Sequence, residues 1–593
     1  MLTKLKEDWK NRIEKELKAY LGTDEIAPLT MGVPPKKEMG DLAFPMFPYS
    51  KAAHKAPAQI ASDIASRLDG DHPEGRIILA GPYLNVQIDM ASLAGSIVND
   101  VRSKGGRYGW GESLKGKKMM VEFSCPNTNK PLHLGHMRND SLGQSVSELL
   151  KTQGAEVKKV NLINNRGVHI CKSMLAYLRF GNGETPESTG EKGDHFVGRY
   201  YVRFAQWEKE VEAEKNANPD IVNTPGFLDP DTEAQKMLKK WEDGDKEVRA
   251  LWQKMNDWTL SGLEESYRNM GISFDKYYYE SETYKYGKDE VLKGVESGVF
   301  KKEEDGSVQV DLAPIGLDKK VLLRKDGTTL YMTQDIGTAI KRHEDWPFDS
   351  LTYVVASEQK YHFTVLFYCL GLLGYDWAKE LHHLSYGMVN LPDGKMKSRE
   401  GTVVDADDLL SQLTQLAKEE IISKEREDKV EDVGETSRKI ALGALNYYLL
   451  QVSPTKDMTF NPKESISFNG NTGPYLQYTG ARLSSILRKY REEKKDTPFD
   501  GSLLTNEDEK TLLTMIASFP QYLRRAADGF DPSVVATFLY DMAKTFSHYY
   551  HDNRILNAES EALITARVTL CEIVLQTMKN GFEVIGVPFL EAM

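Results

Sequence analysis

The stretch from residue 117 to 163 constrains the fold more than any other part of the chain. Residues 119–123, Met-Met-Val-Glu-Phe, are a short and largely apolar run of strand length. A loop rich in Pro and Asn follows. Leu142, Val146, Leu149 and Leu150 then mark a helix that Gly154 ends, and residues 157–163 form the next strand. Strand, loop, helix and strand in this order make a crossover unit, which lays two strands parallel. The alternation returns at residues 350–356 (strand) and 362–373 (helix). A doubly wound parallel sheet is predicted, with ligands at the C-terminal ends of its strands.

At 593 residues the chain is too long for one core. Residues 1–110 read as a small α+β unit. Leu5, Trp9, Ile13, Leu17 and Tyr20 recur at helical spacing, as do Ile60, Ile64 and Leu68. Leu84, Val86 and Ile88 alternate with Asn85, Gln87 and Asp89, the period of a half-exposed strand. Gly105-Gly106 and Gly109-Trp110-Gly111 read as a linker. Residues 113–405 carry the sheet, with a polar, Gly- and Pro-punctuated insertion at about 181–250 that includes a helical stretch at 197–213. From about 405 the chain is mainly helical, with long apolar periodicity at 442–450, 475–490 and 563–582. We divide it into a connection, 406–470, and a terminal helical domain, 471–593.

No apolar run is long enough to span a bilayer. Glu7, Asp8, Glu14 and Glu16 argue against an organelle transit peptide. A cytoplasmic monomer is expected. The four cysteines, Cys125, Cys171, Cys369 and Cys571, show no metal-ligand spacing, so neither disulfides nor a structural metal are predicted. A net charge of −12 disfavours indiscriminate nucleic-acid binding, and DNA is not an expected partner. A local basic face still suffices for a specific RNA complex.

Two segments carry chemistry. His133-Leu134-Gly135-His136 falls at the strand-to-helix turn, where a helix N-terminus offers unpaired amides to phosphates. Gly135 lets a ligand approach the backbone, and Pro126 and Pro131 stiffen the loop. The second segment, Lys395-Met396-Lys397-Ser398-Arg399-Glu400-Gly401, follows the turn Leu391-Pro392-Asp393-Gly394. Its cations are most useful when an α-phosphorus becomes five-coordinate. An ionised carboxylate nucleophile needs no general base, so such a site works by positioning and electrostatics. Each segment alone also fits a solvated surface loop. Paired across a parallel sheet, they point to one ATP site.

Longer motifs carry a resemblance. Val121-Glu122-Phe123-Ser124-Cys125-Pro126-Asn127, with Lys130 and the two histidines, is similar to the first signature of the arginyl-tRNA synthetases, a class I family. So are residues 330–337 (Leu-Tyr-Met-Thr-Gln-Asp-Ile-Gly), 355–359 (Val-Ala-Ser-Glu-Gln) and 471–478 (Asn-Thr-Gly-Pro-Tyr-Leu-Gln-Tyr) followed by Ala481-Arg482. Gly40-Asp41-Leu42-Ala43 and Gly81-Pro82-Tyr83-Leu84-Asn85 resemble the family's additional N-terminal domain, and residues 581–593 its C-terminal ending. The resemblance covers nearly the whole chain. It implies a multidomain α/β protein: a Rossmann-like class I catalytic domain, a small α+β N-terminal domain contacting the outer corner of tRNA, and an all-helical anticodon-binding domain.

The resemblance also implies roles. His133, Gly135, His136, His362, Lys395, Met396, Ser398 and Arg399 would bind ATP, presented as its Mg²⁺ complex. His133, His136, Lys130, Lys395 and Lys397 would be catalytic, with Lys130 and Lys395 sharing the triphosphate and Lys397 or Arg399 assisting. Glu122, Cys125, Pro126, Asn127, His136, Tyr331, Asp335 and Gln359 would hold arginine. A guanidinium prefers a planar carboxylate opposite its fork, which Asp335 or Glu122 can supply. Taken singly, either also suits a structural ion pair. Tyr475, Tyr478, Arg482 and Arg488 would bind tRNA(Arg), by stacking and phosphate contacts. The family further suggests that arginine activation requires bound tRNA. Three departures stand out. Cys125 replaces a usual serine. Asn164-Asn165-Arg166-Gly167-Val168-His169 replaces a common Gly-Asp-Trp-Gly stretch. Lys397 and Ser398 stand where many class I enzymes have Ser and Lys.

Overall fold

A computed structural model describes residues 2–68, 74–392, 404–492 and 497–593. The N-terminal helix Leu2–Leu21 buries Trp9, Ile13 and Leu17, the stripe that its spacing predicts. It belongs to a unit with a three-stranded antiparallel sheet, β1 (Leu42–Pro45), β2 (Gly75–Ala80) and β3 (Tyr83–Ile88), in the order β1-β3-β2. Leu84, Val86 and Ile88 are buried as expected. Asn85 departs from the alternation. It is buried too, and its amide donates to the Met39 carbonyl at 2.8 Å.

The Gly-rich linker is a packed joint. The Tyr108 hydroxyl donates to the Ile516 carbonyl at 2.7 Å, and Asn580 donates to the Gly105 and Tyr108 carbonyls. Gly109 has φ +97° and lies against Phe519, where a Cβ would sit 2.6 Å from the ring.

Five parallel strands form the central sheet: β4 (Lys118–Glu122), β5 (Glu156–Ile163), β6 (Lys276–Tyr279), β10 (Ser350–Ala356) and β11 (Leu381–Tyr386). Their order is β11-β10-β4-β5-β6. The chain winds from β4 outward through β5 and β6, then returns to the other side of β4. The switch point therefore lies between β4 and β10, and a crevice opens there at the strand C-termini. Between β6 and β10 lie a small antiparallel sheet, β7 (Lys301–Lys302), β8 (Val308–Val310) and β9 (Lys320–Leu323), and the helices Gly287–Glu296 and Tyr331–Asp345.

The insertion between β5 and β6 is wider than residues 181–250. The helices Val168–Phe180, Gly193–Ala217, Pro230–Glu242 and Lys246–Met270 pack on a shared core that includes Phe196, Phe204, Trp207, Met237 and Met255. Few but large apolar side chains suffice for that core, so a charged composition concealed it. After β11, the short parallel pair β12 (Val389–Asn390) and β13 (Met458–Thr459) joins the sheet to the helices that follow. These are Ala406–Ser423, Val433–Leu450, Gly473–Glu492, Glu507–Asp528, Ser533–Asp552 and Glu561–Val584. No helix among the described residues is long and apolar enough to cross a membrane.

Candidate active site

The loop after β4 enters the crevice in a strained shape. Ser124 and Cys125 have φ +74° and +50°, in the left-handed region that non-glycine residues avoid. Side-chain amides hold them there. Ser124 N donates to Asn139 Oδ1 at 2.6 Å, Cys125 N to Asn161 Oδ1 at 3.1 Å, and Asn164 Nδ2 to the Cys125 carbonyl at 2.9 Å. Asn139 also donates to the carbonyl of Val354 on β10. Asn127 is exposed at the rim, and Pro126 is buried beneath it.

His133 and His136 open the helix Leu134–Thr152 as a reciprocal cap. His133 Nδ1 accepts from Gly135 N at 3.1 Å, and His136 Nδ1 accepts from His133 N at 3.2 Å. With both Nδ1 atoms accepting, each Nε2 carries the proton and remains a donor. Burial is the main cause that pushes the His133 pKa down to about 4, with the Lys130 charge adding to it. Burial, His133 and Lys130 push His136 well below its usual range. Two neutral donor imidazoles with ring centroids 3.9 Å apart thus face a helix N-terminus. Burial also lowers the pKa of Lys130.

Across the switch point, Tyr331 and Asp335 lie one turn apart on the helix Tyr331–Asp345. Tyr331 is 74 % exposed and open to a ligand. Asp335 is half-buried, and its Oδ2 is 2.6 Å from His362 Nε2. His362, predicted for ATP, therefore sits on the predicted arginine carboxylate. Gln359 is exposed where β10 gives way to the next helix.

Glu122 is elsewhere engaged. Its carboxylate is buried against the guanidinium of Arg342, in a pair 1 % and 6 % exposed at the side chains. Burial pushes the Glu122 pKa up and Arg342 pulls it down. Burial opposes the charge on Arg342, but Glu122 holds its proton more tightly than usual. A guanidinium keeps its proton in proteins, so we read the pair as ionised. Burial pushes the Cys125 thiol well up, so it serves as a neutral group.

Two site residues had escaped the sequence reading. Glu280, directly after β6, is 9 % exposed and lines a cleft of about 700 Å³ with Arg166, Lys288, Tyr331 and Gln334. Burial raises its pKa to about 7, and the nearby charge of Asp335 adds to the rise. A carboxylate directly after the consecutive Tyr277, Tyr278 and Tyr279 at the C-end of a strand was the available signal. Arg138, fully buried, donates to four carbonyls: Gly387 (2.8 Å), Met388 (3.2 Å), Pro454 (3.2 Å) and Lys456 (2.7 Å). It ties the histidine helix to the β12–β13 joint. Its place after His136 in a polar run gave no sign of burial.

Lys395, Met396, Lys397, Ser398 and Arg399 lie outside the described residues. In the C-terminal helices the four predicted RNA contacts separate. Tyr478 and Arg482 line a cavity of about 320 Å³ together with Lys424, Arg426 and Phe468. Arg482 Nη2 donates to the Tyr478 hydroxyl at 2.9 Å. Burial alone would raise the Tyr478 pKa, but Arg482 and Arg426 bring it below its usual value. Arg488 is exposed on the same helix. Tyr475 instead turns inward, bonding Ser547 and packing near Tyr540.

A parallel sheet with an imidazole pair at its switch point, followed by a helical domain, defines a class I aminoacyl-tRNA synthetase. Comparison with known families narrows this. Residues 98–462 match the model for class I (R) tRNA synthetases, catalytic domain; residues 476–593 match the DALR anticodon binding domain; residues 7–88 match the arginyl tRNA synthetase N-terminal domain. The arginine–tRNA ligase of Treponema denticola is 53 % identical over 581 residues, 96 % of each chain. That of Treponema pallidum is 48 % identical over 603 residues, 99 % of each. The solved structure of Thermus thermophilus arginyl-tRNA synthetase superposes with a TM-score of 0.78 at 25 % identity, covering 99 % of this chain and 100 % of that one. The chain belongs to the arginyl-tRNA synthetase family.

Proposed function

We propose that the protein joins L-arginine to tRNA(Arg) in two steps at the β4/β10 crevice. In the first, the arginine carboxylate attacks the α-phosphorus of Mg–ATP, giving arginyl-adenylate and pyrophosphate. The Nε2–H groups of His133 and His136, the helix N-terminus and Lys130 stabilise charge on the phosphate oxygens. The carboxylate is already ionised, so no general base is required. In the second, a hydroxyl of the terminal ribose attacks the adenylate carbonyl and releases AMP; class I analogy selects the 2′-hydroxyl.

One observation carries the arginine assignment. Glu280 shares a cleft with the exposed Tyr331, and Asp335, one helical turn from Tyr331, is near enough for its charge to raise the Glu280 pKa. A guanidinium can pair with both, whereas a neutral side chain would leave the buried Glu280 without a substrate counter-charge and Asp335 with only its contact to His362. Asn127 and Gln359, on the loops after β4 and β10, would hold the backbone end of the amino acid. The cavity at Tyr478 and Arg482 offers an aromatic face and cations to an anticodon base. The same reading makes the enzyme a cytoplasmic monomer, which light scattering checks for the oligomeric state.

ATP–pyrophosphate exchange with each amino acid, with and without total tRNA, tests the whole proposal. Exchange with arginine alone, and only when tRNA is present, is expected. Exchange with lysine or cysteine but not arginine would refute it. Retained tRNA binding without any exchange would mark a non-catalytic relative.

A further inference from the structure

Asp194, His195 and Asp407 bring three potential ligand atoms within 4.8 Å of one another. The cationic place among them is filled. Lys192 Nζ lies 2.9 Å from Asp194 Oδ2, 2.6 Å from Asp407 Oδ2 and 2.6 Å from Ser266 Oγ. Ser266 Oγ is in turn 3.0 Å from both Asp407 oxygens. His195 Nε2 stands 3.2 Å from Asp407 Oδ2 and 3.4 Å from Asp405 Oδ2. Asp194 and Ser266 are fully buried. The cluster is therefore a closed electrostatic knot of three carboxylates, an ammonium and an imidazole.

Its location gives it a task. Leu134 N donates to the Val404 carbonyl and Ala406 N to the Leu132 carbonyl, both at 3.1 Å, which pairs His133 with Asp405 as an antiparallel bridge. Asp405 also caps the helix Ala406–Ser423, accepting from the amides of Asp407 and Asp408. Further along the helix that Lys192 precedes, Gly198 lies so close to the same loop that a Cβ would be 2.8 Å from Pro131 Cδ. The insertion helix Gly193–Ala217 thus grips the histidine loop twice, directly at Pro131 and through residues 404–407.

We infer that Lys192 is a positioning residue for adenylate formation, its ammonium fixing residues 404–407, on which the backbone of His133 is laid. This rests on the functional reading above. Without the ammonium, Asp194, Asp405 and Asp407 face one another with only His195 between them. Like charges at this spacing repel strongly in a desolvated site. Asp407 moves away, and the bridge that orients the His133 ring moves with it. The inference also gives the insertion a role in the chemistry, through the placement of His133.

The experiment compares K192M, K192R and K192M/D407N with wild type in tRNA-supported ATP–pyrophosphate exchange with arginine, alongside tRNA binding and thermal melting. K192M should lose at least tenfold in kcat, with the arginine KM and tRNA Kd within twofold of wild type. K192R should recover most of the loss. The double variant should be no worse than K192M, because both act through one contact. A folded K192M with kcat within twofold of wild type overturns the inference, as does a double variant whose losses multiply. So does a loss confined to tRNA binding. If K192M does not fold, S266A removes a hydroxyl bound to both Lys192 and Asp407 while keeping every charge, and the same kcat-against-KM split decides. A wild-type protein with no exchange overturns the functional reading and this inference together; unchanged exchange in K192M overturns the inference alone.

Discussion

Removing the Glu122 charge separates two roles that the sequence left open for it. If its carboxylate serves Arg342, Glu122→Gln leaves a guanidinium 1 % exposed without its counter-ion. Breaking a buried ion pair from one side costs about 3–5 kcal/mol. The faces of Tyr278 and Tyr353, 5.1 and 5.8 Å from the Arg342 carbon, offset part of this. At about 2–4 °C per kcal/mol for a domain of this size, the calorimetric transition of the sheet domain should fall by about 10 °C. Glu122→Met with Arg342→Met removes both charges and should return to within about 2 kcal/mol of wild type, because buried pairs exchange for apolar ones at little net cost. Arginine use then discriminates. With Glu122 committed to Arg342, the folded double variant keeps its arginine KM within about threefold. A double variant of wild-type stability whose arginine KM rises a hundredfold would refute this reasoning and return Glu122 to the substrate pocket.

Glu280 titrates near pH 7 in the free protein, and only its ionised form attracts a guanidinium. The arginine KM should rise about eightfold from pH 7.5 to 6, and Glu280→Gln should flatten that dependence while raising the KM throughout; steady-state kinetics over this range check both. Asp140 is fully buried, and burial lifts its pKa to about 8 against a smaller opposing pull from Ser124. The unfolded chain releases this proton near pH 4 while the folded one keeps it, so stability falls as pH rises between those values. Asp140→Asn should match wild type at pH 4 and exceed it by about 3–5 kcal/mol at pH 8 in urea unfolding. Gly287 lies against the helix that carries Asp335, where a Cβ would be 1.6 Å from the Thr333 carbonyl oxygen. Gly287→Ala should displace that helix, costing about 1–3 kcal/mol and raising the arginine KM more than the ATP KM.

The sheet was legible because its strands are apolar runs with turn residues at both ends. Residues 350–356 and 157–163 read as strands in the sequence, and the structure places β10 and β5 there. The start of the histidine helix was not legible from periodicity. Apolar spacing begins at Leu142, yet the helix begins at Leu134. Arg138, Asn139, Asp140 and Ser141 are all buried in between, three of them held by hydrogen bonds to distant segments. Hydrophobic patterning cannot see a polar residue whose burial is compensated from elsewhere in the fold. The same blindness hid the aromatic core of the insertion behind its surface charge.

By itself the sequence determined the doubly wound sheet, the turn that presents His133 and His136, and a family resemblance running through nearly every motif. These are local properties: period, turn chemistry and motif spacing act within a few residues of one another. Only the tertiary structure decided which partner each charge meets. Glu122 and Asp335 read alike as candidate guanidinium partners, but burial beside Arg342 engages one, while the other stays half-buried against His362, one helical turn from the exposed Tyr331. Tyr475 and Tyr478 are three residues apart on one helix, and packing against Ser547 and Tyr540 turns one inward while the other lines a basic cavity. An ion pair or a burial is set by residues far away in the chain, and no local pattern encodes that distance.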